Sequence, residues 1–305
     1  MTDVVEELLA KYQVRKTRAQ KTAFIAFLCE RYPELAVEEN GLFKSRNLVA
    51  GNPDSARLIL TAHYDTCAAL PFPNFLTPKN LPVYLLYQLA VFAPILAVVF
   101  LVSFAIGRWT QNPGAAFCVG IAACVLLFLP LFAGKANPHT ANDNTSGVAV
   151  LCCLLDTMDE EMRRRTAFVF FDHEEIGLIG SAQFRKKHRA GVERALVVNL
   201  DCVADGDTIM IILNKRARRD YGNALRRAFD RVEDKEVRFE KSSVTLYPSD
   251  QIQFPCNAAV AAFHRHCIFG YYLSRIHTSR DTCFDERNIA YLSKSLRALA
   301  YEITD

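Results

Sequence analysis

The sequence predicts an α/β fold: a three-layer sandwich around a mostly parallel central sheet, interrupted by two long apolar helices. Short runs of β-branched and aromatic residues alternate with helical patterns along most of the 305-residue chain. That order is typical of helices packed on both faces of a parallel sheet. The middle of the chain also holds two uncharged stretches, each close to the length that crosses a bilayer. We therefore predict three segments: 1–80 and 135–305, which together form the folded domain, and 81–134, an apolar insertion.

Composition indicates a protein without a nucleic-acid partner. The chain has 36 Lys and Arg against 33 Asp and Glu, so no bulk positive field is present. Its ten cysteines include no C-x-x-C pair, and several lie in apolar runs, which suits buried reduced thiols in a cytosolic setting. The first twenty residues are charged and have no apolar core, so we expect no cleavable signal peptide.

The elements before the insertion are two helices and three short strands. Residues 3–13 and 17–31 carry apolar residues at helical spacing, and the second run ends before a proline. The strand-like runs are 35–38, 47–50 and 57–62. The last strand leads directly into His63 and Asp65. A carboxylate next to an imidazole can orient that imidazole as a metal ligand.

The insertion predicts a transmembrane hairpin. Leu81–Gly107 contains 27 residues without a formal charge, and Ala115–Ala133 contains 19 more. About 20 apolar helical residues cross the hydrocarbon core of a bilayer. Arg108 and Trp109 in the polar link suit a membrane–water interface. A buried hairpin or a dimerisation pair in a soluble protein is the alternative, and the prediction is contact with lipid through residues 81–133.

Beyond the insertion, helices and strands alternate up to the end of the chain. We predict a helix from Thr145 or Ser146, a strand at 167–171, a helix near 182–189, strands at 195–200 and 208–213, a basic helix at 217–231, a strand near 237–240, an apolar run at 258–263 and an amphipathic helix at 289–303.

The stretch Thr166–Ser181, TAFVFFDHEEIGLIGS, is the centre of this organisation. A short apolar run typical of a buried parallel strand ends in an acidic cluster of Asp172, Glu174 and Glu175, and two glycines follow. Open α/β sheets place their sites at the carboxyl ends of strands, beside turns that glycine permits. Three neighbouring carboxylates repel one another unless a cation or a proton compensates them.

Six polar residues share a position just after an apolar strand or at a loop–helix junction. They are His63, Asp143, Glu174, Glu175, Asp201 and His277. Imidazoles and carboxylates without a thiolate suit zinc, with cobalt or manganese as substitutes. A bridging carboxylate holds two ions about 3.5–4 Å apart, and one further carboxylate must stay free to take a proton from water. A gluzincin-type H-E-x-x-H helix is excluded, since residue 177 is glycine.

Six sequence blocks resemble the co-catalytic dizinc aminopeptidases. In chain order they are AHYDT, ANDNTSGVA, DHEEIGLIGS, NLD, SDQIQF and IHTSRDT. This family includes bacterial leucyl aminopeptidase and aminopeptidase Y and, more distantly, glutamate carboxypeptidase II and the transferrin receptor. The resemblance runs from about residue 47 to the end, except for the insertion, and it implies a zinc-peptidase-like fold.

The resemblance implies a centre of two zinc ions. Asp143 would bridge the ions, His63 and Asp201 would complete one, and Glu175 and His277 would complete the other.

The resemblance also implies the residues that act beside the metals. Glu174 would be the general base, and Asp65 would orient His63. Tyr247 is a candidate for stabilising the oxyanion. Where the family commonly has His in the SDQIQF block, this chain has Gln251.

The activity implied is hydrolysis of the first residue from peptides with a free N-terminus. Two alternatives stay open: a one-zinc acyltransferase similar to glutaminyl cyclase, and an inactive membrane-bound scaffold with a peptidase fold. Inactive relatives usually lose ligands, whereas here every ligand position is filled.

The position of the insertion constrains its topology. His63 precedes it and the other candidate ligands follow it, so one centre can form only if the chain crosses the membrane an even number of times. We predict two spans. Lys79 and Lys135 flank the hairpin, against Arg108 at its tip, so the positive-inside rule favours a cytoplasmic catalytic side.

Overall fold

The computed structural model describes residues 2–230 and 235–304. In chain order, the elements are α1 (Asp3–Lys11), α2 (Arg18–Arg31), β1 (Ala36–Asn40), β2 (Ser45–Ala50), β3 (Leu58–His63), α3 (Leu81–Thr110), α4 (Pro113–Ala133), α5 (Ser146–Thr157), α6 (Glu160–Arg165), β4 (Thr166–Phe171), α7 (Ile179–Lys187), α8 (Arg189–Val192), β5 (Leu196–Leu200), β6 (Thr208–Leu213), α9 (Lys215–Ala228), β7 (Glu236–Lys241), β8 (Asn257–His266), β9 (Gly270–Tyr272) and α10 (Glu286–Thr304). The predicted basic helix corresponds to α9, and Arg231, its predicted end, lies outside the described residues.

The sheet is parallel at its centre, antiparallel pairs flank that centre, and the edge strand β7 is parallel to β6. Its strand order is β1-β2-β4-β3-β5-β8-β6-β7, and β9 pairs with the end of β8. Strands β4, β3, β5 and β8 run parallel to one another. Antiparallel pairs join β1 to β2, β2 to β4 and β6 to β8. The prediction of a mostly parallel central sheet is confirmed.

Helices cover both faces of the sheet, which explains why its central strands are apolar without interruption. In β3, Leu58 and Leu60 pack into the cluster formed by α1, α2, α5, α9 and α10, whereas Ile59 packs into the cluster on the other face with Phe184 of α7. Successive side chains of a strand point to opposite faces, so burial of both faces removes the alternation of polar and apolar residues. The result is the predicted three-layer sandwich.

A capping box sets the start of α2. The Thr17 side chain accepts a hydrogen bond from the backbone N–H of Gln20, and the Gln20 side chain accepts one from the backbone of Thr17. This reciprocal pair satisfies two N–H groups that the first turn leaves free. The helix therefore begins at Arg18, one residue later than the apolar pattern predicts.

Helices α3 and α4 form a hairpin that packs on itself. The rings of Phe92 and Phe128 stack at 5.8 Å, and the Ser103 hydroxyl donates to the Ala116 carbonyl at 2.8 Å. Both helices are long and apolar enough to cross a membrane, and no residue in the most apolar stretch of α3 is buried. This hairpin is thus not a buried core pair within the described chain.

The chain leaves the domain and returns to it at neighbouring points. Ala68, before the hairpin, pairs with Ala136 after it, and the backbone N–H of Ala69 donates to the Lys135 carbonyl at 2.8 Å. Both ends of the hairpin therefore join the same side of the domain.

Candidate metal centre

Three neighbouring strands deliver polar residues to one edge of the sheet. His63 ends β3 and lies opposite Phe171, the last residue of β4. Glu174 and Glu175 follow β4, and Asp201 follows β5 on the other side of β3. Because the three strands run parallel, their carboxyl ends meet at one edge, where α/β proteins bind ligands.

The other two candidate ligands come from loops. Asp143 lies in the bend before α5, and its peptide bond to Asn144 is cis. His277 has a left-handed backbone with φ of 60°. A non-glycine residue in that region is strained and persists where the surrounding structure holds it.

The two carboxylate oxygens of Asp143 face two different imidazoles. Oδ1 lies 3.3 Å from His63 Nε2, and Oδ2 lies 3.0 Å from His277 Nε2. Asp201 Oδ1 lies 3.6 Å from the first imidazole nitrogen, and Glu175 Oε2 lies 3.3 Å from the second. The structure thus brings all five predicted ligands together, as two groups that share Asp143.

Two carboxylate oxygens in this cluster, Asp201 Oδ1 and Glu175 Oε1, are buried and have no hydrogen-bond partner among the residues that the structure describes. A buried acceptor left unpaired is costly, and proteins normally satisfy it. Cations are natural partners for such oxygens, so this donor set fits divalent zinc.

The charge balance of the cluster also favours a cation. Burial raises the pKa of Glu174 well above its usual range and that of Glu175 to about 8. Burial alone would lower the pKa of His277, but the negative charge of Glu175 and the hydrogen bond to Asp143 raise that pKa to about 9. Burial raises the pKa of the two glutamates, and the neighbouring carboxylates raise that of His277; a bound metal ion would compensate this buried negative charge.

Asp65 contacts the turn that carries the glutamates more closely than it contacts the His63 ring. Its carboxylate accepts the backbone N–H of Glu174 at 2.9 Å and that of Glu175 at 3.2 Å. His63 Nδ1 is 3.7 Å from this carboxylate but 3.1 Å from the Asp65 carbonyl. A carbonyl oxygen can only accept, so this bond places the ring proton on Nδ1 and leaves Nε2 free to bind a metal.

Asp172 is directed away from the centre, although the sequence places it in the same acidic cluster. Its carboxylate forms a buried ion pair with Lys21 at 2.6 Å and accepts the backbone N–H of Arg46 at 3.0 Å. The turn that follows requires glycine: Gly177 has φ of +117°, and a Cβ on Gly180 would lie 2.1 Å from the Asp172 carbonyl. The cluster of three carboxylates is thus divided between an ion pair and the candidate centre.

Tyr247 lines the same cavity, of about 230 Å³, as the candidate ligands. Its hydroxyl donates to the Asp201 carbonyl at 2.9 Å. Gln251 is buried behind it and donates to the Tyr247 carbonyl at 2.6 Å, so this glutamine positions the tyrosine segment.

Two buried aspartates near the site, Asp281 and Asp250, were not predicted from the sequence, although both lie within the resembling sequence blocks. Asp281 of IHTSRDT accepts the backbone N–H groups of Asn142 and Asp143 at 2.9 and 3.0 Å and so holds the bridging position. Asp250 of SDQIQF is buried, and burial raises its pKa to about 7. The sequence signal that could have identified them is the presence of an acidic residue inside each block.

Cys67 is a further possible metal ligand that the sequence did not predict. One set of three possible donor atoms within 4.8 Å of one another combines its sulfur with Glu175 and His277. Burial raises the pKa of the Cys67 thiol well above its usual range. The thiolate is the form that binds metals, so Glu175 and His277 are the better ligands here.

Comparison with known protein families gives a match. The model of peptidase family M28 matches residues 130–300, more than half of the chain. No curated protein sequence matches the chain.

Three solved structures share the fold at low sequence identity. The LapA aminopeptidase of Legionella pneumophila is 14% identical with a TM-score of 0.54, over 98% of this chain and 67% of that chain. LapB of Legionella pneumophila is 16% identical with a TM-score of 0.53, over 99% and 70%. The glutaminyl cyclase of Porphyromonas gingivalis is 15% identical with a TM-score of 0.53, over 98% and 95%. At these identities the similarity is one of fold, and the match to the family model assigns the chain: it belongs to peptidase family M28.

Proposed function

We propose that the protein is a membrane-bound dizinc aminopeptidase, which hydrolyses the first residue from peptides with a free N-terminus. One observation carries the proposal: each carboxylate oxygen of Asp143 faces a different imidazole, at 3.3 and 3.0 Å. A shared carboxylate with a separate ligand group on each side is the arrangement that a two-ion site requires.

In this proposal, His63 and Asp201 would hold one zinc ion, Glu175 and His277 would hold the other, and Asp143 would serve both. The unpaired oxygens of Asp201 and Glu175 support this assignment. When bound, the two ions supply Lewis-acid polarisation of the scissile carbonyl and a lowered pKa for the attacking water.

Glu174 moves the proton in this mechanism. It lies in the same cavity as the proposed ligands, and its carboxylate takes the proton of the attacking water and delivers it to the leaving amine. Asp65 keeps Glu174 in place through the backbone hydrogen bond at 2.9 Å. Tyr247 is the candidate for stabilising the oxyanion, and to do so its hydroxyl must leave the Asp201 carbonyl.

A one-zinc glutaminyl cyclase is the second candidate. The similar fold of the Porphyromonas gingivalis enzyme, of which this chain covers 95%, favours it. The His277 imidazole, which faces the second carboxylate oxygen of Asp143, favours a site for two ions and therefore hydrolysis. An inactive scaffold is the third possibility, and the complete set of candidate ligands at one site argues against it.

The decisive experiment assays the purified, zinc-loaded full chain on three substrates: an aminoacyl reporter with a free amine, its N-acetylated form, and a peptide beginning with glutamine. We expect hydrolysis of the first substrate alone, with two zinc ions per active chain by elemental analysis. Cyclisation of the glutamine peptide with one zinc per chain would assign a cyclase. A metal-loaded chain that turns over none of the three would be a scaffold.

We further propose that the hairpin within residues 81–133 spans the bilayer, and that residues 1–80 and 135–305 form one peptidase domain beside it. The exposed apolar surface of both helices supports lipid contact, since soluble proteins rarely leave so large an apolar surface uncovered. The backbone contact between Ala69 and Lys135 supports a hairpin that returns to its starting side.

The orientation is testable with a protease-cleavable tag inserted between Gln111 and Asn112, in the exposed link between the two helices. With the catalytic domain in the cytoplasm, external protease cuts this tag in intact cells and spares a tag at the C-terminus. Cleavage of both tags only after the membrane is opened would place the link inside and contradict the topology.

A further inference from the structure

A second cavity, of about 520 Å³, lies between the base of the hairpin and the candidate metal centre, and we call it the hairpin cleft. Its hairpin wall is formed by α3 and the end of α4, including Val91, Phe92 and Leu131. None of the lining residues contributed by α3 and α4 carries a charge, and the charged residues of the cleft, among them Lys16 and Lys21, come from the rest of the domain. At its other end, the hairpin cleft is lined by Glu175 and His277.

The hairpin cleft adjoins the cavity of the candidate metal centre. Asn74, Glu175 and His277 line both cavities. Tyr84 of α3 lines the inner cavity, and Val91 lines the cleft. The first turns of α3 thus form a wall for the candidate site as well as part of the proposed membrane anchor.

The hairpin cleft extends along the membrane-spanning part of α3. Val91 is ten residues from the start of α3, which corresponds to about 15 Å along the helix axis. On the outer side of the same helix, Leu85 and Leu89 are exposed. One face of α3 is therefore available to lipid while another lines the cleft.

We propose that the hairpin cleft binds the apolar residues that follow the cleaved bond, so that the enzyme selects hydrophobic peptides presented at the membrane surface. The proposal rests on the aminopeptidase function proposed above. A free N-terminus held at the metal centre leaves the rest of the peptide to extend outwards, and about three extended residues span 10 Å. An uncharged wall favours apolar side chains there, because burying a charge without a partner is costly.

The test uses the full chain in phospholipid vesicles with two peptides, Ala-Leu-Leu-Leu-Lys-Lys and Ala-Ser-Ser-Ser-Lys-Lys, and with an alanine reporter that has no residues beyond the cleaved bond. We expect kcat/KM to favour the leucine peptide by about tenfold or more. Val91→Trp, which fills the cleft, should lower this preference by about tenfold. Leu89→Trp, two residues away on the lipid side, is the matched control and should leave the preference as in the wild type.

Comparing variants at equal lipid concentration removes the contribution of peptide partitioning, which is the same for each variant. Val91→Thr, nearly the same size as the natural residue, should lower the preference in the same direction even if the tryptophan variant fails to fold. A wild-type preference near one, or an unchanged preference in both Val91 variants, overturns the proposal. So does cleavage of a long-chain acyl-glycine in place of the leucine peptide, which would assign the cleft to a fatty-acyl chain.

The alanine reporter distinguishes failure of the cleft proposal from failure of the proposed aminopeptidase function. If the reporter is cleaved and the peptides show no preference, only the cleft proposal fails. If the reporter is not cleaved, the aminopeptidase function itself is wrong.

Discussion

The Glu174→Gln variant is expected to keep its bound zinc and to lose turnover by about 10²- to 10⁴-fold, the range of a general acid–base catalyst. Glu174 lines the candidate site. It is half-buried, and among the described residues its carboxylate pairs with neither site imidazole within 4 Å, whereas Asp143, Glu175 and Asp201 each do. A carboxylate without such a close imidazole contact is available to move a proton. Glutamine has almost the same shape but cannot accept that proton.

The measurement is kcat on an aminoacyl reporter together with zinc content by elemental analysis. Glu161→Gln is the matched control, because its carboxylate is on the exposed face of α6, paired with Arg165 at 2.9 Å, and an exposed pair contributes little. Turnover near that of the wild type in Glu174→Gln would assign the base to another group. Loss of zinc would mean that Glu174 is a ligand.

The Asp143→Asn variant is expected to lose both zinc ions and with them all metal-dependent activity. Both oxygens of Asp143 face imidazoles, so one substitution weakens both proposed ion sites at once. The amide keeps the size of the side chain but removes its charge and leaves one oxygen able to bind. A ligand that binds only the folded state stabilises it by about 2.7 kcal/mol at one hundred times its Kd. Zinc should therefore raise the melting temperature of the wild type and leave that of the variant unchanged.

Thermal melts with and without zinc, and zinc content after gel filtration, provide the measurement. Asp156→Asn is the control: it makes the same change at the far end of the adjoining α5, where the carboxylate pairs with Arg31 at 3.3 Å. Its zinc-dependent shift should equal that of the wild type. Retention of one zinc by Asp143→Asn would show that Asp143 does not bridge, which favours a one-ion enzyme.

Much of the fold could be predicted because its signals are local. The apolar runs of β3, β4 and β5 and the spacing of α5 and α10 depend on residues close together in the chain. The antiparallel pairs β2–β4 and β6–β8 were not predictable in this way, because strand direction depends on how distant segments pair.

The candidate site was partly predictable for the same reason. His63, Glu175 and Asp201 could be proposed from their place after apolar strands, since parallel strands end at one edge of a sheet. Asp143 and His277 lie on loops, and the order of the resembling sequence blocks pointed to them. Nothing local separates Asp172 from Glu174, and yet the structure pairs Asp172 with Lys21, whereas Glu174 lines the candidate site.

By itself, the sequence determined the fold class, the two apolar helices and the inventory of imidazoles and carboxylates, because hydropathy and side-chain chemistry are properties of neighbouring residues. Only the tertiary structure decided which side chains meet. It assigned Asp65 to the backbone of the glutamate turn and Asp281 to that of Asp143, and it formed the hairpin cleft against the centre. These contacts join residues remote in the chain, and their distances follow from sheet register and loop geometry, which no local pattern specifies.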